Sequence, residues 1–186
     1  MLSSDKSVAQ ATDCPSLKDD KARLECYDGK AKPSASPNTG EWYKQETVSD
    51  LDRSKTVTIA INSLRSSIYK DGSKPQFARL VISCREKKTT LYVDFRSAIG
   101  YIDRTFSAQY RVGDNKPVSA KWSISQDHNA FGPFESPSTV PLVKALMQAD
   151  DFYVRGDDAV GGTSDALFKV EGLSEAVKPL RAGCNW

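Results

Sequence analysis

One short run after another in this chain alternates apolar and polar side chains, and that period of two limits the possible folds more than any other feature. Thr56–Ile61 alternates, and Ala78–Cys84 is β-branched and half apolar. A period of two puts successive side chains on opposite faces of an extended strand, so such runs bury one face and wet the other. Glu86-Lys87-Lys88 reads as a hairpin turn from Ala78–Cys84 into Thr89–Phe95. Gly113–Pro117 reads as a second hairpin loop, between Thr105–Val112 and Val118–Ser125. Asp151–Arg155 and Ala166–Val170 flank a loop rich in Gly and Asp.

Two segments switch to helical spacing. Pro141–Ala149 is one, with Ser138 or Thr139 as candidate N-caps. Leu173–Arg181 is the other, and Pro179 inside it predicts a bend or a restart, because proline lacks the N–H that an interior turn needs. The expected fold class is mainly β (α+β): an antiparallel β-sandwich or curved sheet with two or three peripheral helices. A disulfide-linked helical arm is expected at the N-terminus, over residues 1–30. Residues 31–40, with two Pro, two Ser and a Gly, read as a linker. Residues 41–186 are expected to form the β-rich domain.

Four cysteines set the compartment. Cys14, Cys26, Cys84 and Cys184 make an even count with no C-x-x-C spacing. The single histidine, His128, has no cysteine near it in sequence, which gives a zinc site little support. Four free buried thiols are the reading for a cytosolic chain, whereas two disulfides fit an oxidising compartment, and that is the expectation. Of the three pairings, sequence selects none. Twelve residues of unbroken helix span about 18 Å, too far for a disulfide, whose Cα atoms lie within about 7 Å. A turn at Pro15–Lys18, with a second helix from Lys21 to about Lys30, lets Cys14 reach Cys26. Cys84 would then pair with Cys184. Ala9-Gln10-Ala11 has the small-x-small pattern of a signal-cleavage site without an apolar stretch before it. The expectation is an exported protein, periplasmic or secreted, whose signal peptide is not part of this sequence.

Charge excludes some classes. Twenty-six basic and 24 acidic residues leave a net charge of +2, so no overall field favours nucleic acid or an anionic membrane. No apolar run is long enough for a membrane-spanning helix, so contact with a membrane is expected to be peripheral at most. No cofactor and no metal is expected.

Several stretches carry a resemblance. Cys14 is followed after eleven residues by Cys26-Tyr27-Asp28; Trp42 and Leu80-Val81-Ile82-Ser83-Cys84-Arg85 come next. Tyr110-Arg111-Val112-Gly113, Trp122-Ser123-Ile124-Ser125 and the Gly183-Cys184-Asn185-Trp186 ending complete the series. The chain resembles the type VI secretion-associated proteins called VasI or TagO. The resemblance implies a periplasmic or envelope-located accessory protein of a Gram-negative bacterium, with an envelope or secretion-system protein as partner. It implies no agreed enzymatic activity and supplies no catalytic residues.

Candidate site residues are sparse. Asp127-His128, with Ser123 and Ser125 nearby, sketches a triad, but adjacent residues on a loop rarely let the acid orient the far imidazole nitrogen. Arg155-Gly156-Asp157 is an adhesion-type tripeptide, expected in a flexible loop. Trp42, Trp122 and Trp186, with Tyr92, Tyr101 and Tyr110, are candidates for a glycan or peptidoglycan face, although strand aromatics are more often core. The possible binding set is Trp122, Asp127, His128, Tyr101 and Arg155. Glu41, Asp50 and Asp52 lie close together without calcium-loop spacing. Three functions compete: a non-enzymatic interaction protein, an envelope glycan binder, and an envelope hydrolase or its inhibitor.

Overall fold

The structure, a computed structural model, describes residues 19–21, 42–67, 76–95, 105–157 and 163–186. The backbone divides into two units, Met1–Ser34 and Ala35–Trp186. The described residues of the second unit hold nine strands: β1 (Tyr43–Val48), β2 (Lys55–Ser67), β3 (Gln76–Arg85), β4 (Lys88–Asp94), β5 (Thr105–Val112), β6 (Val118–Ile124), β7 (Ala130–Phe134), β8 (Asp151–Asp157) and β9 (Thr163–Lys169). Three short helices join them: α1 (Thr139–Leu146), α2 (Leu173–Ala176) and α3 (Lys178–Cys184). The fold is mainly β, as the alternation predicts. The expected arm at residues 1–30 and the linker at 31–40 lie outside the described residues apart from 19–21, and so does a Cys14–Cys26 pairing.

The strands form one open antiparallel sheet in the order β1-β2-β3-β4-β7-β6-β5-β8-β9. Of the two expected architectures, the single curved sheet is the one realised. β2 and β9, far apart in that order, nevertheless touch, so the sheet curls round its own core. Period-two burial is plain in β4 and β9, where every second residue is buried. Inward side chains from the strands and the buried sides of the helices form a single core. A chain of ring contacts runs through it: Phe95 to Phe131 at 5.1 Å, Phe131 to Trp122 at 5.8 Å, Trp122 to Tyr110 at 5.2 Å, then Phe152 at 6.1 Å and Phe168 at 6.2 Å. Offset and tilted rings at such distances attract beyond their burial.

Antiparallel pairing throughout brings the ends of β2, β4, β6 and β8 to one end of the sheet. The turns leaving β1, β3 and β5, and all three helices, gather at the opposite end. There Cys84 of β3 is joined to Cys184 of α3, with Cα atoms 5.8 Å apart. Trp186 fastens the same region: its indole N–H donates to Thr89 Oγ1 at 2.7 Å, with Lys144 and Arg181 set over its ring.

The structure departs from expectation at definite places. β7 has the sequence AFGPF, and its Gly and Pro hide it from a search for alternation. It is a strand because Gly132 allows close approach to β4, and because the β4–β7 register shifts between Leu91 and Val93, which accommodates Pro133. The turn at Glu86-Lys87 puts both residues at positive φ, 50° and 64°, the geometry that tight hairpins need even without glycine. Ser138 sits at the α1 N-cap but makes no capping bond, since its hydroxyl lies 2.7 Å from that of Ser136. Thr139, the other candidate, gives its hydroxyl to the Phe134 carbonyl at 2.5 Å. The helix ends at Leu146, about one turn short of the expected Ala149. The C-terminal helix restarts at Lys178 after a break at Val177, with Pro179 in the first turn of the new helix, where its missing N–H costs nothing.

Candidate functional site

Two hollows lie side by side on the outer, solvent-facing surface of β5, β6 and β8. Register creates them. Gln109 of β5 stands between Ser119 of β6 and Arg155 of β8, while Ser107 faces Lys121. The serines are short where Lys121, Gln109 and Arg155 are long, and that difference leaves a depression of about 320 Å³. Its floor is the next row of the sheet, where Ala108 opposes Ala120 on one side and Gly156 on the other. A second hollow of about 320 Å³ shares Gln109 and Arg155 with the first and adds Tyr110, Arg111, Pro117 and Tyr153.

Polar groups around the hollows are partly fixed. Arg155 Nε donates to Gln109 Oε1 at 2.9 Å across the strand pair. Arg111 donates to the Gly113 carbonyl, and its Nη2 lies 3.4 Å from Asp151 Oδ1. That second contact is an ion pair and not a directed hydrogen bond: Asp151 Oδ1 accepts no hydrogen bond among the described residues. Asp165 of β9 stands opposite Arg155.

The candidate pair Asp127-His128 is not arranged as a triad. Asp127 turns its carboxylate onto its own turn: it accepts from Ser125 Oγ at 2.5 Å, from the Asn129 N–H at 3.3 Å and from Asn129 Nδ2 at 3.3 Å. Ser125 Oγ also accepts from the Ala130 N–H at 2.9 Å. These donors favour the ionised form and hold the Asp127 carboxyl below its ordinary value, Ser125 first. His128 next to it sits at φ 57°, and its Nδ1 is buried without a partner. The acid therefore orients the turn, not the imidazole.

The remaining expected residues scatter. Trp122, taken as a binding residue, is only 4% exposed and lies in the aromatic chain of the core, so it offers no surface to a ligand. The reason is register: Trp122 shares the inward face of β6 with Ala120 and Ile124. Trp42 is buried too, with its indole N–H donating to the Glu171 carbonyl at 3.0 Å. Tyr92 stacks on Phe134 at 5.6 Å, and burial, then the Asp94 charge, pushes its phenol up. Tyr101 lies outside the described residues. Arg155-Gly156-Asp157 is not a loop but the last three residues of β8, with Gly156 buried in the sheet. Among the described residues of the possible binding set, only Arg155 reaches the hollows, while Tyr110, a candidate for the glycan face, lines the second of them. Sequence reasoning missed Ser107, Gln109, Ser119, Lys121 and Tyr153. Their signal was present as small or polar residues at the outward positions of adjacent strands, but reading it needs the strand order.

A family described as type VI secretion system VasI, EvfG matches residues 13–186, nearly the whole chain. The chain belongs to the VasI family. VasI proteins are type VI secretion-associated, and that much of the functional expectation stands. Among curated proteins no match was found. A solved structure, that of invasion associated protein b from Bartonella henselae, is similar over 80% of this chain and 97% of that one, with a TM-score of 0.51 and 12% identity. At that identity the likeness concerns the fold alone.

Proposed function

We propose that this VasI-family protein works in the bacterial envelope as a non-enzymatic interaction component of a type VI secretion system. The observation that carries this reading is the Cys84–Cys184 disulfide, which joins a buried strand position to the last helix. Such bonds form and persist in oxidising compartments such as the periplasm. The Asp127 carboxylate, engaged by its own turn, supports a role other than hydrolysis. The arm at residues 1–30, cross-linked Cys14 to Cys26 on the tether at 31–40, belongs to the same proposal as an element that docks on the partner. A second reading, glycan or peptidoglycan binding, is favoured by the paired polar hollows on β5, β6 and β8.

Fractionation of the native bacterium, together with cross-linking in intact cells, tests the first reading. The expected result is recovery from the periplasmic fraction without free thiols, cross-linked to a component of the secretion apparatus. Recovery in the cytoplasm with alkylatable cysteines would overturn it.

A further inference from the structure

We infer that the two confluent hollows form one binding site for an acidic saccharide, a sugar bearing a carboxylate. This deepens the glycan-binding reading and rests on it.

Main-chain pairing narrows the ligand first. β5 is bonded to β6 over Thr105–Tyr110 and to β8 over Ala108–Val112, so Ala108–Tyr110, beneath both hollows, are paired on both sides. A peptide adding as a further strand needs a free edge, and Ala108–Tyr110 offer none. Whatever binds here is read by side chains. Those of the first hollow are Ser107, Gln109, Ser119, Lys121 and Arg155: hydroxyls and an amide for hydroxyl groups, and two cations for an anion. Lys121 is exposed and stands in no ion pair among the described residues. Gln109 restrains the Arg155 guanidinium, and a planar fork fixed in place suits the two oxygens of a carboxylate.

Charge and shape narrow it further. Asp165 opposite Arg155 offsets one of the two cations, so the rim matches one negative charge better than a phosphate dianion. The second hollow supplies Tyr153 and Pro117, flat apolar surfaces for the less polar face of a sugar ring. Each hollow has about the volume of a small-ligand pocket. The short Ser107 and Ser119 over the Ala120–Ala108–Gly156 floor, rather than any cavity in the core, make the room.

The test uses the purified, oxidised protein and monitors backbone amides by NMR while ligand is added. N-acetylmuramic acid is the acidic probe. N-acetylglucosamine is the same ring without the lactyl ether that bears the carboxylate, and inorganic phosphate is an anion without a sugar. The acidic sugar is expected to shift the amides of Ser107–Gln109, Ser119–Lys121 and Arg155–Gly156. N-acetylglucosamine should bind at least about tenfold more weakly, because it forgoes the charge-assisted bonds. Arg155→Ala and Lys121→Ala should each weaken the acidic sugar by about tenfold, and both side chains are exposed, so the spectrum should stay dispersed. Arg155→Lys keeps the charge but loses the fork, and intermediate binding is expected. Equal binding of N-acetylglucosamine, the same shifts with phosphate alone, or unchanged binding in the Arg155→Ala Lys121→Ala double variant would each overturn the site. So would the absence of shifts at high millimolar acidic sugar. Equal binding of N-acetylglucosamine overturns the acidic site and leaves the glycan reading standing, whereas no shift with either sugar overturns both, so the two failures are told apart.

Discussion

A single hydrogen atom in place of a methyl group decides how β7 lies against β4. A Cβ on Gly132 would meet the Leu91 carbonyl oxygen at 2.5 Å and the Tyr92 Cα at 2.6 Å, both backbone atoms that cannot swing aside. Gly132→Ala must therefore push the two strands apart at the point where Tyr92 stacks on Phe134. The expected cost is about 1–3 kcal/mol, read from urea denaturation monitored by tryptophan fluorescence. An unchanged midpoint would mean that β4 and β7 separate without penalty. His128 is constrained in another way. Its left-handed backbone belongs to the Ser125–Ala130 turn, whose bonds come from Ser125 and Asp127.

At the scale of elements, the β1–β2 hairpin stands out because all six β1 residues are exposed. The backbone ladder, from Tyr43 opposite Ala60 to Val48 opposite Lys55, sets its register, and an exposed charge cluster lies on it: Glu46 accepts from Lys44 at 2.8 Å and from Lys55 at 2.6 Å. These two lysines, Lys44 first, bring the Glu46 carboxyl down from 4.5 to about 2. In the turn, Ser49 and then Ser54 bring Asp52 down from 3.8 to about 2. Both folded values are depressed. Each contribution is therefore present in full above the ordinary carboxylate value and is lost as pH falls toward about 2. Exposed pairs of this kind add little stability, so the place to look is the titration itself. Carboxyl carbon NMR should give midpoints near 2 for both residues. Added salt should raise the Glu46 midpoint more than that of Asp52, because salt screens lysine charges and leaves hydroxyl donors alone. Ordinary midpoints at low salt would mean that neither arrangement persists in solution.

For the molecule as a whole, the open sheet is closed off at its helical end by a covalent link. Cys84 and Cys184 are 100 residues apart in sequence, a separation at which a cross-link strongly restricts the unfolded chain. The Cys84→Ala Cys184→Ala double variant should lose about 2–5 kcal/mol in guanidinium denaturation. Trp186, held to Thr89 and flanked by Lys144 and Arg181, should keep the tail near its place in the folded state even so. Stability equal to that of the oxidised protein would show that burial alone docks the helices.

Much of this was legible in the sequence wherever the signal is local. Alternation marked β5 from Thr105 to Val112, the bounds observed, because a period of two is a property of neighbouring residues. Pro179 announced the helix restart because its missing N–H acts within one turn. The cysteine count and spacing pointed to an oxidising compartment, and the order of short motifs pointed to the VasI family. β7 stayed hidden because its Gly and Pro make sense only against β4. Trp122 stayed a possible binding residue, with the core as the alternative, because sequence does not say which face of β6 turns inward. The hollows were invisible for a stronger reason. Arg155 meets Gln109 across 46 residues, and the row of Ala120, Ala108 and Gly156 exists only once β6, β5 and β8 are neighbours. The sequence by itself determined where most of the strands run and which of them are joined by tight turns into antiparallel hairpins, since both follow from contacts a few residues apart. Only the tertiary structure decided the strand order, the curl that brings β9 to β2 and the outer surface where a ligand can rest, because those depend on which distant strands share a register.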